Sequence, residues 1–188
     1  MEFKDMKLEF KTDRIVMKDY PDQVVMMDWE DKIMKKSAEY ICQSKGDILE
    51  IGFGMGICSD YIQSQGVNSH TIVEIHPQVI EKLKVWASDK NNVTIIEGDW
   101  KDVNLNKYDG IFLDTFWENN WDGYKDFIML KANNGAKATY WNNLEYENNP
   151  HNFENISFEK VLVNPADNPY TDIKEHYYMP KVKINVIN

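Results

Sequence analysis

A glycine-rich loop early in the chain has the residue types and spacing to bring backbone N–H groups close to a ligand. Glu50 and Ile51 end a short apolar run, and Gly52, Gly54 and Gly56 follow at alternate positions. Glycine lets the backbone turn sharply, and the N-terminus of a helix that follows such a turn points free N–H groups at the ligand. The loop therefore predicts a binding site, although an ordinary tight turn is the alternative reading.

A second candidate is Glu74, which lies 20 residues beyond Gly54 at the end of another apolar run. A carboxylate at this position can accept hydrogen bonds from both ribose hydroxyls of an adenosine-containing ligand, although an isolated acid there would more often be solvated. The loop reads GxGxG rather than GxGxxG, with Ile57 and Cys58 where a third dinucleotide-motif glycine would fall. This spacing favours a nucleoside without a pyrophosphate, such as S-adenosylmethionine, over a dinucleotide.

Three further acids and one tryptophan are candidate ligand-binding residues. Asp99 can accept from an adenine amine and Trp100 can cover the ring, although a helix cap and a core residue are equally good readings of these two. Asp114, in the segment LDTF, ends a further strand-like run, where a carboxylate can take a proton or instead cap a helix. With Glu30 facing the same pocket, the pair fits a planar guanidinium, which two carboxylates can hold by directed hydrogen bonds.

These residues need a scaffold, and the apolar pattern predicts an open α/β sheet with helices on both faces. Strand-like runs at 47–51, 70–75, 93–96, 108–113 and 136–141 alternate with helical patterns at 57–66, 77–86 and 124–132. The segments 158–163 and 176–186 have no helix between them and predict an antiparallel pair, with Pro180 marking an edge or a bulge. In such a sheet, ligands bind outside the carboxyl ends of the strands, which is where the candidate residues fall.

The N-terminal part is predicted to be helical. Over residues 22–43 the apolar positions recur at helical spacing, and Met26, Glu30 and Met34 are four apart, which places them on one stripe. We expect a single domain over residues 1–188, with 1–45 as a helical lid segment and 46–188 as the catalytic sheet.

The chain resembles class I S-adenosylmethionine-dependent methyltransferases, and within them the guanidinoacetate and arginine N-methyltransferase family. The shared segments are VVMMDWEDKIM at 24–34, DILEIGFGMG at 47–56, GDWKDV at 98–103, YDGIFLDTF at 108–116, and NPADNPY followed by HYYMPKV near the C-terminus. The resemblance implies a Rossmann-like domain with a mostly parallel seven-stranded sheet, an antiparallel C-terminal hairpin, and a shortened connection between strands five and six.

The resemblance also implies roles for individual residues. Glu30 and Asp114 would grip the guanidino group of the substrate, with Asp114 accepting the proton and Glu30 orienting the planar group. The cofactor contacts would be Met26, Met34, Glu50, Gly52, Phe53, Gly54, Met55, Gly56, Ile57, Glu74, Ile75, His76, Asp99 and Trp100.

Two departures bear on the substrate. Where the relatives hold a substrate carboxylate with backbone groups, this chain has Asn143, Leu144 and Glu145, and a register shifted by one residue is the alternative. Glu145 would repel a carboxylate, so a different substrate tail is one reading. The stretch before residue 158 is also short, which predicts that a helix on that flank of the sheet is missing and that the flank is thinly covered or available to another subunit.

Composition limits the remaining classes. Of 188 residues, 43% are hydrophobic, and 21 basic against 31 acidic residues give a net charge of −10, which disfavours nucleic acid and fits a cationic small-molecule substrate. Only two cysteines occur, the histidines show no zinc-site spacing, and no apolar run approaches a membrane span. We therefore expect a cytoplasmic protein without a metal; oligomeric state stays open.

The sequence thus predicts an enzyme, an S-adenosylmethionine-dependent N-methyltransferase acting on a small guanidino compound such as guanidinoacetate. The alternatives are methyl transfer to another small amine, a hydroxyl or a protein arginine side chain, and a non-catalytic cofactor-binding module.

Overall fold

The computed structural model describes residues 2–116, 123–144, 146–163 and 173–185. Short 3₁₀ turns occupy Phe3–Asp5, Asp28–Glu30 and Cys42–Ser44. The strands and α-helices are β1 (Leu8–Phe10), β2 (Arg14–Met17), β3 (Tyr20–Met27), α1 (Asp31–Ile41), β4 (Asp47–Ile51), α2 (Ile57–Ser64), β5 (Ser69–Glu74), α3 (Pro77–Ala87), β6 (Val93–Glu97), β7 (Tyr108–Leu113), α4 (Tyr124–Lys131), β8 (Ala132–Tyr140), β9 (Ile156–Leu162) and β10 (His176–Lys183).

A seven-stranded sheet with the order β6-β5-β4-β7-β8-β10-β9 forms the centre of the molecule. The strands β6, β5, β4, β7 and β8 are parallel neighbours. The chain adds β5 and β6 on one side of β4 and β7 and β8 on the other, so the topological switch lies between β4 and β7. The predicted α/β sheet is confirmed, and the switch point is where a ligand site is expected.

Strand β7 shows why these residues form a central strand. Ile111 and Leu113 pack on one face against Phe127 and Ile128 of α4, whereas Phe112 packs on the other face in the core cluster that includes α1 and α2. A strand that is buried on both faces needs apolar residues at consecutive positions, because successive side chains point to opposite faces. The run therefore fixes β7 in the middle of the sheet, with its carboxyl end at the switch point.

The C-terminal strands form the predicted antiparallel pair. Strand β10 pairs with β9 from His176 opposite Leu162 to Val182 opposite Ile156. Pro180 was expected at an edge or bulge, but β10 is an inner strand and β9 forms the edge. Proline is tolerated because β10 pairs with β8 only from Val182 onward, so no ladder bond is required of Pro180 on that side.

The N-terminal helix prediction over residues 22–43 is wrong in its first half. Strands β1, β2 and β3 form a separate antiparallel sheet, and α1 begins only at Asp31. Ile15 pairs with Met26 and Val16 with Val24, so partners from an earlier strand override the helical spacing. Met26 and Met34 therefore come from a strand and a helix rather than from one helical stripe. No described helix is long and apolar enough to cross a membrane.

Candidate active site

A cavity of about 330 Å³ opens at the carboxyl ends of β4, β5, β6 and β7. Eleven of the predicted site residues line it, namely Met26, Met34, Glu50, Gly52, Phe53, Gly54, Glu74, Ile75, Asp99, Trp100 and Asp114. The predicted residues that do not line it are Glu30, Met55, Gly56, Ile57, His76, Asn143 and Leu144. The structure thus brings together residues from four successive strand ends.

Position 52 requires glycine because the ends of β4 and β7 lie close together there. Its φ is +88°, and a Cβ there would lie 2.1 Å from the backbone oxygen of Asp114. The backbone N–H of Asp114 in turn donates to the carbonyl of Ile51 at 3.0 Å. Because both the backbone angle and the space exclude a side chain, only glycine lets the ends of β4 and β7 come this close.

The rest of the loop packs against the N-terminal sheet. Gly54 has φ +55°, and a Cβ there would lie 2.5 Å from Sδ of Met26, which also accepts the N–H of Met55 at 3.2 Å. Gly56, with φ +81°, precedes the first residue of α2, Ile57. Met55, Gly56 and Ile57 therefore shape the loop without lining the cavity, whereas Gly52 and Gly54 line it.

Glu74 is held by backbone N–H groups. Oε2 accepts from Phe53 at 2.9 Å, and Oε1 accepts from Ile75 and His76, each at 2.8 Å. Burial raises the pKa of this carboxyl, and the three donors oppose that shift. An ionised carboxylate offers about four acceptor positions, so one remains for a ligand after these bonds.

Asp99 and Trp100 each have a structural role and also line the cavity, so both alternatives left open by the sequence apply to them. Oδ1 of Asp99 accepts the N–H of Lys101 at 3.0 Å, which is a turn-capping role. The Trp100 ring packs edge-on against Tyr124 and Phe127, with centroids 5.4 and 4.7 Å away. Both residues also line the cavity, so a structural role does not remove them from the site.

Asp114 is the carboxylate at the switch point. Burial raises the pKa of Asp114 to about 7, and the negative charge of Glu50 adds to the shift. A carboxyl with such a pKa exchanges its proton near neutral pH, which is what general acid–base chemistry requires.

Glu30 is buried but is not among the residues that line the cavity. It ends the 3₁₀ turn before α1, is 3% exposed, and accepts the N–H of Met27 with Oε1 at 2.7 Å. Burial raises the pKa of Tyr177, and the charges of Asp114 and Glu30 both contribute to that rise. Tyr177 lies on strand β10, and both acids are close enough to its buried phenol for their charges to act on it.

Tyr177 was not singled out from the sequence. Its hydroxyl accepts the N–H of Asn142 at 2.9 Å, and its ring lies 5.2 Å from that of Trp141. The position depends on how β10 pairs with distant strands, which no local pattern reveals. Asn143 is exposed and Leu144 half-buried next to this contact, and Glu145 lies outside the described residues.

The N-terminal turn is a second feature that sequence reasoning missed. Glu2 and Phe3 line the cavity, and the Phe3 ring packs 4.9 Å from His76 and 5.1 Å from Phe116. His76 bonds to the Met6 carbonyl through Nε2 at 2.9 Å. His76 therefore anchors the chain that covers the cavity instead of lining it. Among the described residues, no group of three or more His, Cys, Asp or Glu could hold a metal ion.

The strand order and the cavity at the switch point define the class I methyltransferase fold. The N-methyltransferase NodS from Bradyrhizobium japonicum superimposes with a TM-score of 0.64 over 84% of this chain and 97% of its own, at 11% identity. The putative methyltransferase yhhF from Escherichia coli gives a TM-score of 0.59 over 81% of this chain and 85% of its own, at 12% identity. At these identities, the likeness concerns the fold.

The chain belongs to the guanidinoacetate N-methyltransferase family, whose sequence model matches residues 4–156. The resemblance predicted from the sequence is thereby confirmed. Protein arginine N-methyltransferase 2 of Saccharomyces cerevisiae is 41% identical over 138 residues, which are 66% of this chain and 32% of the relative. The protein of the same name from Aspergillus oryzae is 37% identical over 133 residues, 66% of this chain and 31% of its own. The chain spans about a third of the length of these curated relatives.

Proposed function

We propose that the chain binds S-adenosylmethionine in the cavity and transfers its methyl group to a guanidino nitrogen. The observation that carries the proposal is Asp114, a carboxylate that lines the cavity at the switch point with a pKa of about 7. Family membership and the relatives named as arginine N-methyltransferases support the same chemistry.

The residues present fit this cofactor. Gly52 and Gly54 line the cavity and let the loop backbone lie against Asp114 and Met26 without a side chain in between, and Glu74 keeps an acceptor position for a ribose hydroxyl. Asp99 and Trp100 supply an acceptor and an aromatic surface at the next strand end. When bound, S-adenosylmethionine supplies a methyl group attached to a positively charged sulfur, and the sulfur becomes a neutral thioether when the methyl group is transferred.

The acids of the chain would prepare the nucleophile. A guanidinium has a pKa above about 12, so its nitrogen gains a usable lone pair only as a proton is drawn off. Asp114 accepts that proton as the nitrogen forms its bond to the methyl carbon. Glu30 does not line the cavity, so we assign it an electrostatic role: its negative charge helps to orient the guanidinium and stabilises the positive charge that remains on it. Holding the reactants in this geometry provides much of the acceleration.

Glu30→Gln separates the charge of this residue from its structural role. Glutamine keeps an Oε1 acceptor for the Met27 N–H, so the turn before α1 should persist. We expect the KM for the acceptor to rise about tenfold, because the variant loses a buried negative charge that attracts a cationic acceptor, and each tenfold change corresponds to about 1.4 kcal/mol. Steady-state kinetics at saturating cofactor measure this, with Glu39→Gln as the matched control, because this half-buried acid of α1 pairs with Lys36 and does not line the cavity. An unchanged KM would remove Glu30 from the substrate site.

The compound that receives the methyl group can be proposed in order of preference. A small guanidino compound such as guanidinoacetate is the first candidate, and an arginine side chain in a protein is the second, favoured by the 41% identity to the yeast relative. The test compares guanidinoacetate, free arginine, an arginine-containing peptide and a lysine-containing peptide as acceptors. Transfer to one of the guanidines supports the proposal and names the acceptor class. Transfer to the lysine peptide alone, or cofactor binding without transfer to any acceptor, would contradict it.

A further inference from the structure

Glu50 is a buried carboxylate whose two oxygens have different surroundings. It lies on β4 and is 1% exposed. Oε2 accepts a hydrogen bond from the hydroxyl of Ser59 at 2.6 Å and contacts Nε2 of His70 at 2.8 Å. Two donors from α2 and β5 therefore converge on one oxygen.

His70 is itself fixed in place. Its side chain is fully buried, and its ring meets that of Trp86 edge-on with centroids 6.2 Å apart. Nδ1 lies 3.2 Å from the side-chain amide nitrogen of Gln63. Because an amide nitrogen can only donate, Nδ1 is the acceptor and Nε2 carries the hydrogen that His70 donates to Glu50.

The second oxygen of Glu50 is left over. Oε1 is buried and has no hydrogen-bond partner among the described residues, yet Glu50 lines the cavity. A buried acceptor without a partner costs about 1–3 kcal/mol, so such atoms call for an explanation. A ligand donor in the cavity would satisfy this oxygen.

We propose that His70 and Ser59 are positioning residues, which occupy Oε2 of Glu50 so that Oε1 accepts a hydrogen bond from a primary ammonium group of the bound ligand. The inference rests on the proposed function, because the methionine part of S-adenosylmethionine carries such a group. His70 touches neither ligand nor cavity in this arrangement and acts only through Glu50. Its contribution should therefore depend on the donor at Nε2 and on the ammonium group of the ligand.

The test compares two ligands that differ in the amino-acid part. S-adenosylhomocysteine carries the ammonium group, and 5′-methylthioadenosine lacks it. Dissociation constants from calorimetry for the wild type, His70→Leu and His70→Gln give the preference of each protein for the first compound. Leucine removes the donor, whereas the amide of glutamine can place an N–H close to where Nε2 lies.

We expect His70→Leu to reduce the preference by about tenfold or more, the size typical of a lost hydrogen bond to a charged group, with methylthioadenosine binding unchanged. His70→Gln should retain the preference. Ser59→Ala should reduce it in the same direction and carries the test if His70→Leu does not fold. Ser64→Ala is the matched control, because this hydroxyl on α2 bonds to the carbonyl of Tyr61 instead.

Equal weakening of both ligands in His70→Leu and Ser59→Ala would show a merely structural role and overturn the inference. An unchanged preference in these variants would overturn it as well, while leaving the proposed function intact. A wild-type chain that binds neither compound would overturn the proposed function and the inference together.

Discussion

Replacing Asp114 by Asn is expected to lower methyl transfer to a guanidino acceptor by about 10²- to 10⁴-fold, the usual contribution of a positioned general base. Asparagine has nearly the same shape but cannot accept the proton, so cofactor binding should change little. Rates with saturating S-adenosylmethionine, together with the dissociation constant of S-adenosylhomocysteine, measure the two effects separately. Wild-type turnover in the variant would show that Asp114 is not the proton acceptor.

The pH dependence of kcat/KM provides a second test of the role of Asp114. Burial and the charge of Glu50 raise the pKa of Asp114 to about 7, and the base form is the deprotonated one. The wild-type kcat/KM should therefore rise with pH up to about 7 and level off above it, since this parameter reports groups of the free enzyme. In Asp114→Asn this rise should disappear from the residual activity.

The free energy of unfolding tests the raised pKa of Asp114 independently of activity, because the pKa shift predicts the direction in which stability changes with pH. The folded state holds the Asp114 proton more tightly than the unfolded state, so wild-type stability due to this group is present at low pH and is lost as pH rises from about 4 to 7. Relative to the wild type, Asp114→Asn should gain stability over this range, by at most about 4 kcal/mol. Urea unfolding at pH 4 and pH 8 measures the difference. A gap that does not grow with pH would contradict a raised pKa.

Gly52→Ala is expected to lower the free energy of unfolding by more than about 3 kcal/mol and to abolish cofactor binding. The positive φ alone costs a side chain about 1–3 kcal/mol, and the new Cβ would also lie 2.1 Å from the Asp114 carbonyl oxygen. Relieving that contact requires the ends of β4 and β7 to separate, which changes the floor of the cavity.

Gly135→Ala is the matched control for Gly52→Ala. Gly135 has φ +84°, close to the +88° of Gly52, but a Cβ there would meet nothing within 4 Å. Denaturant unfolding and binding of S-adenosylhomocysteine should show a modest stability loss and normal binding for Gly135→Ala. If the two variants lose equal stability and both still bind, the close approach of the two strand ends is not what selects glycine at position 52.

The parts of the fold that were predicted from the sequence are those with local signals. The apolar run of β7 has the predicted bounds, and α3 begins at Pro77 as expected, with His76 as its cap. The glycine loop could be recognised from the sequence because Gly52, Gly54 and Gly56 all have positive φ. Such a backbone conformation favours glycine whatever the loop packs against. The misread segment is β3, where Met26 is held by pairing with Ile15 from an earlier strand, a contact without any local signature.

The site was predictable to the extent that strand ends determine it. Glu74 ends β5, whereas Asp99 and Asp114 follow β6 and β7, and the topology alone brings the three acids to one edge of the sheet. The contacts of Tyr177 and the turn at Phe3 depend on packing between distant segments, so the sequence did not reveal them. The segment at residues 164–170, which contributed to the resemblance, lies outside the described residues, as does Glu145.

The most direct test of the central proposal follows the methyl group itself. S-adenosylmethionine labelled with ¹³C in its methyl group is incubated with the purified chain and the best acceptor, and the product is examined by NMR for coupling between the label and the guanidino carbon. The proposal predicts a labelled methyl on a guanidino nitrogen, formed by the wild type and greatly reduced in Asp114→Asn. A label that stays on the cofactor, or that appears on an atom outside the guanidino group, would contradict it.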